Sequence, residues 1–114
     1  MAYNEKLAGR VRTRFKEMAN VEEKKMMGGL IFMVDDKMCV GIMKNELMCR
    51  VNPSLQNELL EREGCRQMDF IKRPGSGFIL VNEETLKTKK EFEYFISLAL
   101  EYNKMAKSSK RKKT

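Results

Sequence analysis

Between residues 30 and 51 the chain repeats one theme three times. Leu30-Ile31-Phe32-Met33-Val34 is an unbroken apolar run, closed by Asp35-Asp36. Met38-Cys39-Val40-Gly41-Ile42-Met43 follows, closed by Lys44-Asn45, and Leu47-Met48-Cys49-Arg50-Val51 completes the set. Apolar runs this short, separated by brief polar breaks, suit strands joined by tight turns better than helices. The segment therefore predicts a three-stranded antiparallel meander. Gly41 inside the second strand marks a bulge or a close packing contact.

The flanking segments read as helices and further strands. In residues 3–18, Tyr3, Leu7, Val11, Phe15 and Met18 recur every three to four positions and share one helical face. Arg10 and Arg14 form a neighbouring stripe, which Lys6 continues. Residues 21–27 are a short charged segment that ends at Gly28-Gly29. Asn52-Pro53 opens a second helix with Leu55, Leu59 and Leu60 on its apolar face and Gly64 as its stop. Two short strands are expected near residues 68–71 and 78–82, joined by Pro74-Gly75-Ser76-Gly77. Thr88 and Glu91 fit a capping box, and Phe92, Phe95, Ile96, Ala99 and Tyr102 line the helix that follows. The expected fold class is α+β. The order is one helix, three strands, a helix, two strands and a helix, in two layers with an antiparallel sheet and helices mainly on one face.

A chain of 114 residues supports one domain, expected over residues 1–103, followed by a disordered basic tail over 104–114. No apolar run approaches the ~20 residues of a membrane helix. The opening Met1-Ala2-Tyr3-Asn4-Glu5-Lys6 lacks the apolar core of a secretory signal, so a cytoplasmic location without membrane contact is expected. The absence of His removes the Ser-His and Cys-His nucleophile pairs. Three dispersed cysteines supply neither a disulfide framework nor a zinc site. No catalytic group, metal or cofactor is expected.

The stretch Lys24-Lys25-Met26-Met27-Gly28-Gly29-Leu30-Ile31-Phe32-Met33-Val34, with Lys37-Met38-Cys39-Val40-Gly41-Ile42 after it, resembles the N-terminal domain of the TfoX/Sxy family. Residues 2–7, 47–51, Met68-Asp69-Phe70 and Arg73-Pro74 fit as well, so the likeness covers about residues 2–103. Met27 departs from the Phe common beside the glycine pair and is expected to fill the same core slot. The resemblance implies a compact α+β domain and an association with natural competence and transcription. It also implies a second, helical domain in full-length members, which is expected to be absent here. It supplies no catalytic residues.

Several segments invite functional readings. Gly28-Gly29 beside Lys24 and Lys25 has the look of an anion loop, but a phosphate loop needs more glycines and a helix directly after it. A tight turn with positive φ explains the pair better. Arg73, Gly75 and Gly77 raise the same question and receive the same answer, that of hairpin chemistry. The pairs Glu22-Glu23, Asp35-Asp36 and Glu83-Glu84 are adjacent in sequence, so their carboxylates diverge and read as solvated turns. Cys39 and Cys49 read as buried small hydrophobes on neighbouring strands, and Cys65 as the exposed thiol.

Two features bear on partners. Met33, Met43 and Met48 are expected with Ile31 on the sheet face opposite the helices. A one-sided helical layer would leave that face open to a second copy of the chain, as a homodimer, or to another protein. The alternative cover is the first helix or residues 21–27. The net charge of +7 is concentrated at the ends. Lys104, Lys107, Lys110, Arg111, Lys112 and Lys113 fall in the last eleven residues with no acid, leaving seventeen cations and sixteen acids before them. With Arg10 and Arg14 they are the nucleic-acid candidates, suited to nonspecific phosphate contact.

These observations order three readings. First is a non-enzymatic regulatory or protein-interaction domain. Second is a nonspecific nucleic-acid-associated protein using the tail and the first-helix arginines. Third is a small-molecule binder or enzyme, which would need convergent polar groups in a pocket.

Overall fold

The strand Gly29–Val34 is buried along its whole length, and the rest of the chain is arranged around it. The structure, a computed structural model, describes residues 3–26, 28–67 and 77–106. In chain order it contains α1 (Glu5–Phe15), β1 (Val21–Met26), β2 (Gly29–Val34), β3 (Lys37–Met43), β4 (Glu46–Arg50), α2 (Gln56–Leu60), β5 (Cys65–Gln67), β6 (Phe78–Val81) and α3 (Lys89–Asn103). A 3₁₀ turn, Pro53–Leu55, runs into α2, and another, Thr85–Lys87, precedes α3. The strands form one six-stranded sheet in the order β1-β2-β3-β4-β6-β5. Every pairing is antiparallel. The fold is α+β, as the sequence pattern implies.

The meander has four strands rather than three. Residues 21–26 pair with β2 from Val21↔Val34 to Met26↔Gly29. Their Glu-Glu-Lys-Lys centre is exposed throughout, so no apolar alternation advertises a strand. β1 forms because β2 presents an open edge, and its charges discourage any further strand from adding. Asp35 and Asp36 have φ of 54° and 64°, the left-handed pair that a tight two-residue hairpin turn requires.

A bulge sorts the side chains of β3. Phe32 pairs with Val40 but Met33 pairs with Met38, which leaves Cys39 as the extra residue. Cys39 and Val40 therefore both join the main core, while Met38 packs on the opposite face. Gly41 is the close contact, not the bulge. A Cβ there would stand 2.6 Å from Ile31 Cδ1 and 3.2 Å from the Leu30 carbonyl oxygen.

The main core lies between the sheet and the helices. Leu7, Val11 and Phe15 of α1 and Phe92, Phe95, Ile96 and Ala99 of α3 pack against Leu30, Phe32, Val34, Ile42, Leu47 and Ile79. The helix starts are satisfied locally. Asn4 Oδ1 accepts from Leu7 N at 3.0 Å, Asn52 Oδ1 from Ser54 N at 3.0 Å, and Thr88 Oγ1 from Glu91 N at 3.2 Å. Asn103 anchors the far end of α3. Among the described residues it is the one buried polar residue, and its Nδ2 donates to Val34 O at 3.3 Å. Lys37 Nζ donates to Asn103 O at 2.7 Å, placing a cation at the helix C-terminus.

Two boundaries differ from expectation. The strand expected near residues 68–71 is preceded by an observed one at Cys65–Gln67, and residues 68–76 lie outside the described residues. Residues 104–106, expected within the tail, continue from α3. Met105 N donates to Tyr102 O at 2.9 Å, Ala106 N donates to Asn103 O at 3.3 Å, and Ala106 is buried.

Two alanine substitutions separate close approach from mere presence of glycine. At Gly29 a Cβ would collide with the Ile42 carbonyl oxygen, whereas at Gly9, within α1, it would meet nothing within 4 Å. Urea unfolding is expected to show Gly29→Ala destabilised by about 2 kcal/mol or more. It should show Gly9→Ala stabilised by roughly 0.5–1 kcal/mol.

Candidate functional site

The charged residues of α1 divide by helical position. Arg10 and Arg14, four apart, face α3, and Arg12 faces β1. Arg14 forks onto Glu93, with Nε to Oε1 at 2.7 Å and Nη2 to Oε2 at 2.8 Å. Ser97 Oγ donates to Glu93 Oε2 at 2.9 Å. The guanidinium of Arg14 holds the Glu93 carboxyl below its ordinary range, and the smaller effect of burial opposes this. Arg14 is itself raised by its hydrogen bond to Glu93. Arg12 makes the same fork onto Glu23 at 2.8 and 2.9 Å.

Arg10 is held differently. Its Nη1 donates to Leu86 O at 2.7 Å, and its guanidinium lies 4.1 Å from the centre of the Phe92 ring. Between α1 and the start of α3 this leaves a groove of about 300 Å³ lined by Arg10, Thr13, Arg14, Lys89, Phe92 and Glu93. A wider cleft of about 610 Å³ lies at the start of α3, lined by Arg62, Glu63, Asn82, Glu84, Thr85, Thr88 and Glu91. Several of its polar groups are tied to one another. Arg62 pairs with Glu91 at 3.0 Å and lies over Tyr94, and Asn82 Oδ1 accepts from Thr85 N at 2.8 Å. Neither cleft is visible in the sequence, because each is assembled from segments about 20 to 80 positions apart.

Among the described residues, the candidates are not brought together as one site. Arg10 and Arg14 serve the α1–α3 seam. Lys104 is exposed at the other end of α3, eleven residues beyond Glu93, or about 16 Å along the axis. Lys107, Lys110, Arg111, Lys112 and Lys113 lie outside the described residues, as do Met27, Arg73 and Gly75. Gly28 has φ of 77° and serves the β1–β2 turn. Gly29 serves close packing, as above. Gly77 has φ of 93°, and its N–H donates to Gln56 Oε1 at 3.0 Å, so that amide is not open to an anion.

Ile31, Met33, Met43 and Met48 do share the second sheet face, with Leu80. The correction concerns their exposure. All five are buried within one chain, and Met26, Met38 and Phe78 pack against them. Of the two alternatives for this face, cover from within the chain is the one observed.

The remaining chemistry is likewise committed. Burial pushes the Cys39 thiol up to about 12 and the Cys49 thiol well above its ordinary value. Cys65, expected exposed, is half-buried and also raised by burial. The acidic pairs diverge: Glu23 goes to Arg12, Asp35 accepts from Asn20 Nδ2 at 3.1 Å, and Glu83 accepts from Asn4 Nδ2 at 2.9 Å. Among the described residues no three His, Cys, Asp or Glu side chains are grouped so as to hold a metal ion. No helix among them is long and apolar enough to cross a membrane.

The comparisons with known proteins bear on this arrangement. The family model described as the TfoX N-terminal domain matches residues 13–102, and the chain belongs to that family. No curated protein and no solved structure matches it.

The Arg14–Glu93 fork has a definite pH signature. Both side chains are more than a third exposed, so the pair contributes only about 0.5 kcal/mol. A carboxyl held low in the folded chain stabilises above its unfolded pKa, and that contribution disappears as pH falls through the folded one. Glu93→Gln is expected to lower stability by about 0.5 kcal/mol at neutral pH. In urea titrations the difference from wild type should close once pH falls below the usual carboxylate range.

Proposed function

We propose that this domain is a non-enzymatic regulatory module that works through contacts with other proteins, in the transcription or competence setting that the family name carries. Family membership over residues 13–102 supports the reading most. The bonding of its charged side chains adds to it. Arg12, Arg14, Arg62 and Arg66 each hold a carboxylate, so these groups shape the fold. A general acid, base or base-reading arginine has to be free to reach its target.

A second reading, nonspecific nucleic-acid association, rests on the six cations among the last eleven residues and on the exposure of Lys104. The leading reading expects a defined set of transcripts to shift in cells lacking the chain and to return when the full chain is restored. An unchanged transcript profile would contradict it. It also expects no saturable binding of duplex DNA, by fluorescence anisotropy, from the full chain or from a chain ending at residue 106. Salt-sensitive binding that disappears on truncation would put the nucleic-acid reading first.

A further inference from the structure

The groove between α1 and α3 contains a cation without a counter-charge. Arg12, Arg14, Arg62 and Arg66 are each carboxylate-paired. Arg10 is not: among the described residues its partners are the Leu86 carbonyl and the Phe92 ring. Neither of these neutralises it. The one carboxylate in the groove, Glu93, has both oxygens occupied by Arg14 and a further bond from Ser97.

Across the groove stands Lys89, exposed at the first position of α3. With Arg10, Arg14 and Lys89 set against Glu93, the lining carries a net charge of +2. Arg10 is also already oriented. One nitrogen is fixed on a carbonyl and the guanidinium plane rests on an aromatic ring, so Nε and Nη2 remain as donors whose geometry is set before any ligand arrives. The volume, about 300 Å³, is at the small end of ligand sites. A lining of two excess positive charges matches a dianion, and near neutral pH a phosphate group carries close to two negative charges.

We propose that this groove binds a small phosphate-bearing anion, its phosphate held between Arg10 and Lys89 with the Thr13 hydroxyl beside it. The site goes beyond the protein-contact reading and does not depend on it. Arg10 is the fixed fork, and Lys89 is the exposed charge on the other side of the ligand. Arg14 adds to the field while remaining bonded to Glu93.

The test titrates the full chain with glucose 6-phosphate and separately with inorganic phosphate, at constant ionic strength, following backbone amide shifts by NMR. Saturable shifts at Arg10, Thr13, Lys89 and Phe92 are expected. Lys89→Glu should weaken binding at least tenfold. Lys89 is exposed in the first turn of α3, where a carboxylate is favourable, so the unfolding midpoint of this variant should not fall. Lys90→Glu, the same charge change one residue along, should bind as wild type does. Tighter binding of glucose 6-phosphate assigns the site to phosphate esters, and equal or tighter binding of inorganic phosphate assigns it to the free ion. Either result supports a phosphate site. Shifts that do not saturate would overturn the proposal. So would equal weakening by Lys89→Glu and Lys90→Glu, since the effect would then be general electrostatics.

Discussion

A strand that is apolar on both faces has to be covered twice, and β2 imposes that requirement on the rest of the chain. Its side chains alternate between Leu30, Phe32 and Val34 beneath the helices and Ile31 and Met33 on the reverse. The neighbouring strands satisfy both sides at once. The extra residue at Cys39 lets β3 send Cys39, Val40 and Ile42 to one side and Met38 and Met43 to the other. Gly41 has no side chain where Ile31 needs room. Methionine suits the reverse face, because an unbranched, polarizable chain fills irregular space.

The helices cover the first face, and polar contacts set how they lie. The Arg14–Glu93 fork and the Arg10–Leu86 bond fix the α1–α3 seam at one end. Asn103, bonded to Val34 O and receiving Lys37 on its own carbonyl, fixes α3 to the β2–β3 hairpin at the other. Exposed ion pairs add little to stability. Their effect here is positional: two helices held at a set separation leave the groove that Arg10 and Lys89 line.

Much of the fold could be read from residue patterns because those patterns report burial directly. The runs at residues 30–51, the Thr88 cap and the α3 stripe of Phe92, Phe95, Ile96 and Ala99 appear where expected. Residues 21–26 could not be read, since an edge strand exposed on both sides has no apolar period to display. Ala106 falls in the expected tail because one methyl group carries almost no signal, yet it is buried after α3. The candidate site was legible only in part. Periodicity placed Arg10 and Arg14 on one stripe, but sequence spacing says nothing about the partner of each guanidinium. Arg14 meets Glu93 and Arg10 meets Leu86 across 79 and 76 positions. The second-face residues share one face, but whether that face is open or covered is not legible, because periodicity assigns a face without saying what lies against it.

The central claim is that one copy of the chain buries both faces of its sheet. Methionine methyl NMR with a soluble paramagnetic agent, at protein concentrations where the chain is monomeric, tests it directly. The methyl signals of Met33, Met43 and Met48 are predicted to broaden little, since each residue is at most 4% exposed. Met105, 63% exposed, should broaden strongly and serves as the internal reference. Broadening of the three sheet methionines to the extent seen for Met105 would contradict the account and restore an open apolar face.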